Sequence, residues 1–157
     1  MIEIQKSPTA DTRTCDWSKV TKEQLQDSSQ KHIHDVRRGM VFFADMLADA
    51  ARNHDADKIA DLVGFHADFA TGFKNTTWWD NHRKITRHHV NAADGIPDDV
   101  NLIDVLEHVV DCVMAGMARS GNVTELKLPD ELLQRAFANT VAVLKSQVAV
   151  APDESHP

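Results

Sequence analysis

The chain has 157 residues, of which 42% are hydrophobic, and it carries a formal net charge of −7. This length is sufficient for one domain with a hydrophobic core. The negative charge argues against a broad surface for nucleic acid or for acidic membranes, although a local cationic pocket could still receive a phosphate group. The apolar runs are short and interrupted by charges, so we expect no membrane span and no signal peptide, and a cytoplasmic protein.

Apolar residues recur about every 3.6 residues along the chain, which predicts an all-α protein. Residues 1–17 and 148–157 show no regular period and are predicted as tails, which leaves 18–147 as a single helical domain of about five or six helices. No segment alternates well enough to predict a strand. Cys15 and Cys112 lack CxxC spacing, so we expect free thiols rather than a disulfide or a sulfur-bound zinc.

The first predicted helix begins near Thr21, which is spaced from Gln24 as in a capping box, and runs to about Asn53. A second is predicted from Asp57, a favourable N-cap residue, to about Phe73. On a helical wheel the first helix turns Val36, Met40, Phe43, Leu47 and Ala50 inward, and the second turns Ile59, Leu62, Val63, Phe69, Ala70 and Phe73 inward.

Two histidines fall on these inward faces, His32 at the edge of the first stripe and His66 at the centre of the second. His34 falls on the opposite, solvated face. A lone interior histidine is more often a core residue bonded to a carbonyl than a metal ligand, so wheel position alone leaves both interpretations open.

A third helix is predicted to carry residues 78–89, with Trp78, His82 and His89 on one face and His88 a quarter-turn away. The interpretations here are an aromatic core contact or a binding face. Residues 91–99 are predicted as a loop. A fourth helix over 102–119 ends at Gly121, a usual C-terminal signal, and a last helix over about 130–145 follows.

An acidic stripe on the fourth helix, Asp104, Glu107 and Asp111 with His108, lies opposite a wide apolar arc. A solvated face is one interpretation. The width of the arc favours the other, in which the helix is packed on several sides and the acids line an internal cleft. Buried unpaired carboxylates are costly, and a cation is the usual remedy.

The doublet His54-Asp55 stands where the first predicted helix ends and the second begins. Imidazole and carboxylate at such a junction suit a shared divalent cation with positions left for water and substrate, which predicts metal-dependent hydrolysis. Without thiolate ligands the candidate cations are Mn, Fe, Co, Ni, Zn and Mg. No GxSxG motif favours a serine nucleophile, and no glycine-rich loop favours a phosphate-transferring kinase.

The order of His32, then His54-Asp55, then the late acid Asp111 resembles the HD-domain metal phosphohydrolases, which are all-helical. More narrowly, His54-Asp55-Ala56-Asp57-Lys58 is similar to the corresponding segment of small uncharacterised HD-like bacteriophage proteins. Three further segments share that similarity: Trp79-Asp80-Asn81-His82, Arg87-His88-His89 and 107–111. The resemblance covers roughly residues 30–120.

The resemblance implies a metal bound by His32, His54, Asp55 and Asp111, with Lys58 contacting phosphate or orienting Asp55. It also implies that His82, His88 and His89 form a substrate rim or bind a second cation. His66 and Glu107 are the other candidates for that second site. The narrower group has a glutamate where this chain has Leu62 and Val63, so His66 or Asp61 would substitute there.

The chemistry expected of such a site is attack on phosphorus by metal-activated water. Asp55 or Glu107 would accept the proton, and Lys58, Arg83 and Arg87 would neutralise phosphoryl charge, although solvated surface charge is the alternative interpretation for all three. Trp78 and Trp79 could stack on a base, or pack as ordinary aromatics.

These features predict a phosphohydrolase for a phosphoester or phosphoanhydride of a small phosphorylated substrate. The choice of a nucleotide or deoxynucleotide comes from the resemblance alone. The alternative is a non-catalytic phage accessory or host-interaction protein on the same scaffold. A third hypothesis, a structural homo-oligomer, would need an exposed apolar stripe on the last helix, formed by Leu132, Phe137, Val141 and Leu144.

Overall fold

The computed structural model of the chain describes residues 1–7, 9, 11–74, 77–91 and 95–151. The all-α prediction is confirmed. The helices are α1 (Lys22–Asn53), α2 (Ala56–Ala60), α3 (Leu62–Phe69), α4 (Trp78–Ile85), α5 (Leu102–Ser120) and α6 (Asp130–Gln147), and the strands are β1 (Ile2–Gln5) and β2 (Val148–Ala151). Two compact units divide the chain, one of residues 1–44 with 142–157 and one of residues 45–141. Within the described ranges no helix is long and apolar enough to cross a membrane.

The first unit contains a short parallel sheet that the sequence pattern did not predict. Strand β1 pairs with β2 in a register that places Ile2 opposite Val148 and Gln5 opposite Ala151. The predicted tails at 1–17 and 148–157 therefore contain regular structure at these residues. Each strand has only four residues, too few for a period of two to stand out, and the pairing joins segments that are distant in sequence.

Helix α1 begins where the capping box predicts. The Thr21 amide donates to Gln24 Oε1 at 2.9 Å, and the Gln24 amide donates to Thr21 Oγ1 at 3.2 Å. Two of the amides that have no acceptor within the first turn are thus satisfied locally. The predicted apolar stripe of α1 is exposed at Val36, Met40 and Leu47, by 49%, 65% and 37%.

The second unit has a small core of Val90, Val100, Leu132 and Ala136, against which Ile96, Val105 and Leu128 pack. Helix α5 enters this unit through a capping box formed by Asn101 and Asp104. It ends at Gly121, whose left-handed φ of 68° suits a residue without a Cβ and agrees with the predicted stop.

The second predicted helix is two helices, because the chain leaves the helical conformation at Asp61 between α2 and α3. The Asp61 side chain accepts a hydrogen bond from the Gly64 amide and caps α3. Much of the predicted inward side points outward in both helices. Ile59, Leu62, Val63 and Phe69 are exposed by 78%, 58%, 83% and 61%, and His66 is exposed as well.

Helix α5 has Asp104 and Glu107 inside, Asp111 partly exposed and much of its apolar arc outside. Asp104 is 3% exposed and the Glu107 side chain 12%, as the internal-cleft interpretation predicts. Leu106, Val110 and Met114 are exposed by 43%, 52% and 66%, which differs from the expectation that apolar neighbours cover the arc. The carboxylates of α5 are therefore available for contacts within the second unit.

The apolar stripe on α6 that the oligomer hypothesis requires is partly buried and partly exposed. Leu132 is fully buried in the core of the second unit. Phe137 and Val141 are exposed by 63% and 46%, and Leu144 is half-buried. The stripe is therefore shorter than predicted.

Candidate metal centre

Asp55 lies at the junction between α1 and α2 and is the N-cap residue of α2. Its φ of 53° is left-handed, a conformation that L-residues rarely adopt and that Asp and Asn tolerate better than most. The α4 residue His82 and the following turn residue His88 each place Nε2 3.5 Å from Asp55 Oδ1. The junction thus brings the aspartate of the predicted doublet among several imidazoles.

Two of these imidazoles are held by a single carboxylate oxygen. Glu107 Oε1 lies 2.9 Å from His54 Nδ1 and 3.1 Å from His88 Nδ1. Because an ionised carboxylate only accepts, each Nδ1 carries the hydrogen, and in a neutral ring each Nε2 then has a free lone pair. Glu107 therefore fixes the tautomer of His54 and His88 and turns both Nε2 atoms toward Asp55.

His82 is held in the same way by another acid. Its Nδ1 donates to Asp57 Oδ2 at 2.7 Å, and its Nε2 lies 3.0 Å from His89 Nε2. Since Nδ1 of a neutral His82 carries the hydrogen, His89 is the donor in the second contact. The Nε2 lone pair of His82 is therefore already used, whereas that of His88 is not.

Three overlapping groups have ligand atoms within 4.8 Å of one another: His54, Asp55 and His88; Asp55, Asp57 and His82; and His82, His88 and His89. Asp55 Oδ1, Asp57 Oδ1 and His88 Nε2 are buried without a hydrogen-bond partner among the described residues. Such atoms are costly unless something satisfies them. These groups could hold a metal ion.

The His54, Asp55 and His88 group fits a cation best. His54 Nε2 lies 3.6 Å from Asp55 Oδ2 and His88 Nε2 lies 3.5 Å from Asp55 Oδ1, and His54 Nε2 lies 3.8 Å from Asp111 Oδ1. Ligand atoms that share a tetrahedral cation at about 2.0–2.1 Å lie about 3.3–3.4 Å apart. The spacing is thus close to that of a ligand sphere and too long for good hydrogen bonds.

The charge state of the site also suits metal binding. Burial raises the pKa of Asp55, but the hydrogen bond and charge of Lys58, together with His54 and His88, outweigh it and hold that pKa below its ordinary value. Burial is the largest cause of the lowered pKa of His88, and burial with the neighbouring His88 and His82 lowers the pKa of His89 to about 4. At neutral pH the aspartate is ionised and these two imidazoles are neutral, the forms that bind metals.

Aromatic side chains form one wall of the site. Trp78 stacks on His82 with ring centroids 5.3 Å apart, and its indole N–H donates to Asp61 Oδ2 at 2.9 Å. Trp79 lies 5.0 Å from the His82 ring, and Lys58 Nζ lies 5.7 Å from the Trp79 centroid. These contacts are those of packed aromatics, which is the ordinary interpretation of the tryptophan pair.

The structure brings together most of the predicted site residues and leaves two outside. His54, Asp55, Lys58, Glu107 and Asp111 meet as expected, together with the three histidines His82, His88 and His89. His32 is exposed and belongs to the first unit, whereas the residues that meet at the site all belong to the second. His66 is exposed on the outward face of α3.

Four predicted site residues have different surroundings from those expected. Helix α4 ends at Ile85, so His88 and His89 reach the site from a turn rather than from a helical face. Arg83 pairs with Asp80 at 2.5 Å on the surface of the helix. Arg87 donates to both oxygens of Asp104 at 2.7 and 2.8 Å and to Asp99 Oδ2 at 2.8 Å, which occupies the guanidinium that was predicted to bind phosphate.

Asp104 is therefore a structural residue, and Asp104→Ala should lower the free energy of unfolding by about 2–3 kcal/mol. The change removes half of the capping box and leaves the Arg87 guanidinium with one carboxylate instead of two. Urea unfolding followed by circular dichroism measures the difference. Asp99→Ala, at a position 75% exposed, is the control and should cost less than about 1 kcal/mol; equal losses would contradict the assignment.

Two functional roles were missed from the sequence. Asp57 was assigned as a helix cap, but it orients His82. Glu107 was assigned as a proton acceptor or a second-site ligand, but it orients two histidines from different elements. The available signal was the acidic stripe of α5, which indicated an inward carboxylate without indicating its partners.

No protein-family model matches this chain, and no curated protein or solved structure is found to be similar to it.

Proposed function

We propose that the protein is a divalent-metal-dependent phosphohydrolase related to the HD-domain enzymes, with a nucleotide or deoxynucleotide as its substrate. The observation that carries this proposal is the convergence of His54 and His88 Nε2 on the Asp55 carboxylate, with both rings oriented by Glu107. A nitrogen and oxygen donor set without thiolate favours Mn, Fe, Co, Ni or Zn over Mg, which prefers oxygen ligands. The His-Asp doublet and late acid of the HD pattern support phosphoester chemistry.

A divalent cation held by these residues would supply a hydroxide at neutral pH by lowering the pKa of a bound water to about 7. Lys58 pairs with Asp55 and keeps that carboxylate ionised and oriented. We assign Glu107 to orienting the two imidazoles that donate to its Oε1 rather than to taking a proton. Asp111 takes that role in our proposal, since it borders cavities on two sides and accepts no hydrogen bond from the described residues.

The surroundings of His54 support a substrate with an apolar part. A groove of about 430 Å³ borders His54, Glu107 and Asp111 and is otherwise lined by Leu47, Ala50, Ala51, Val110 and Met114. Small-molecule sites commonly combine such an apolar surface with a few polar groups at one end. A nucleobase would suit this groove, with its phosphate directed toward the metal-binding residues.

The test is a metal analysis of the purified protein together with a screen of nucleotides and deoxynucleotides for metal-dependent phosphate release. His54→Ala should lose both metal and turnover. The matched control, His34→Ala, changes an exposed histidine outside the site and should lose neither. Bound metal without turnover on any substrate would favour the non-catalytic accessory role, and a wild-type protein that binds no divalent metal would overturn the proposal.

A further inference from the structure

A second cavity, which we call the Arg119 cavity, borders the candidate metal centre. It has a volume of about 300 Å³, and its lining includes Lys58, Trp79, His88, His89, Asp111 and Arg119. His88 belongs to the proposed metal-binding group, and Asp111 is the proton acceptor of the proposed reaction. A ligand in this cavity would therefore lie next to them.

The end of α5 and the chain that follows it form one wall of this cavity. Cys112, Ala115, Gly116 and Arg119 recur at intervals of three and four and so lie along one face of α5. A Cβ at Gly116 would lie 2.7 Å from the Asn122 carbonyl oxygen, so only glycine lets the backbone pass this close. This crossing brings Thr124 and Leu126 to the cavity.

Arg119 differs from most arginines of the chain. Six of the eight, Arg13, Arg38, Arg52, Arg83, Arg87 and Arg135, form ion pairs with aspartate or glutamate. Arg119 and Arg37 have no ion-pair partner among the residues that the structure describes, and of these two only Arg119 lines the cavity. Arg119 is exposed beside this cavity, and a guanidinium without a carboxylate partner is suited to an anionic ligand.

The other charges of the Arg119 cavity favour an anion as well. Lys58 also lines the cavity, and its Nζ pairs with Asp55, which is not among the described lining residues. Asp111 is the single acid among the described residues that line it. By contrast, the cavity of about 420 Å³ beside Arg87 is lined by Asp49, Asp55, Asp104 and Glu107, and its arginine is already paired.

We infer that the Arg119 cavity binds the phosphate group of the substrate, with Arg119 as its cationic contact. The inference rests on the proposed phosphohydrolase function for the identity of the anion as a phosphate ester. A volume of about 300 Å³ is at the lower limit for small-molecule sites and suits one phosphate group with its immediate attachment. Arg119 is a substrate-binding residue that the sequence motifs did not indicate.

The experiment is a calorimetric titration of the full-length protein with inorganic phosphate, carried out after chelation and again with Mn²⁺ added. Arg119→Gln should weaken phosphate binding about tenfold or more, and Arg119→Lys should restore part of it, because lysine keeps the charge but not the planar donor geometry. Arg37→Gln removes the same charge from an exposed, unpaired arginine elsewhere and should bind phosphate like the wild type. Circular dichroism checks that each variant is folded.

Equal phosphate affinity in Arg119→Gln and the wild type would overturn the inference, and so would a wild-type protein that binds no phosphate in either condition. These outcomes are independent of the hydrolase proposal. Arg119-dependent phosphate binding without turnover on any nucleotide would sustain the anion site and count against the proposed activity. Turnover that Arg119→Gln leaves unchanged would support the proposed activity and count against the anion site.

Discussion

Asparagine in place of Asp55 should weaken divalent-metal binding by more than about a hundredfold, since loss of an outer-shell partner alone commonly costs about 10–100-fold. The substitution keeps the size and shape of the side chain but removes the negative charge that faces His54 and His88. Asparagine also tolerates the left-handed backbone of this position, so the fold should persist. Metal affinity measured with a competing chelator tests this expectation.

The same variant should also lose stabilisation by metal. A ligand present at a hundred times its Kd stabilises the native state by about 2.7 kcal/mol, so the wild type should melt at a higher temperature when the cation is added. Asp55→Asn should show no such increase. Asp49→Asn, at an exposed acid of α1, is the matched control and should respond like the wild type. A normal response in Asp55→Asn would remove Asp55 from the ligand set.

Substitution of Glu107 should separate orientation of the histidines from proton transfer. Glu107→Ala removes the acceptor for both His54 and His88 and should lower metal affinity about 10–100-fold. Glu107→Gln retains an oxygen that can accept from the two rings, so metal affinity and turnover should stay closer to those of the wild type. Chelator competition and initial-rate measurements on both variants provide the two readouts.

The original prediction that Glu107 is the proton acceptor gives a different result. In that case Glu107→Gln would abolish turnover while metal affinity stayed unchanged, because an amide cannot act as a base. Glu131→Gln changes an exposed glutamate of α6 and serves as the control for the loss of one negative charge. The pair of variants therefore distinguishes the two roles even if both reduce activity.

Features set by a few neighbouring residues were predictable from the sequence. The capping box of Thr21 and Gln24 and the stop of α5 at Gly121 depend on interactions within a few positions. The His54-Asp55 junction was also located correctly, because a helix ends before it and another begins after it. Local chemistry decides such features, so the sequence pattern indicates them directly.

Features that depend on distant segments or on helix phase were predicted less well. His66 points outward, and a continuous helical wheel does not include the break at Asp61 that precedes it. The role of Glu107 depends on a turn 19 residues before it in the chain and on the junction 53 residues before it. The sheet of β1 and β2 likewise joins the two ends of the chain. Such pairings are not visible in local periodicity.

The left-handed backbone at Asp55 has a consequence for attempts to engineer the protein. Glycine would adopt this conformation more readily, whereas an L-residue bears a cost on the order of 1–2 kcal/mol. A directed-evolution campaign scored on thermal tolerance alone would therefore tend to enrich glycine at position 55. The selected variants would have higher thermal stability but would lack the Asp55 carboxylate. Such a campaign therefore needs a parallel screen for metal binding.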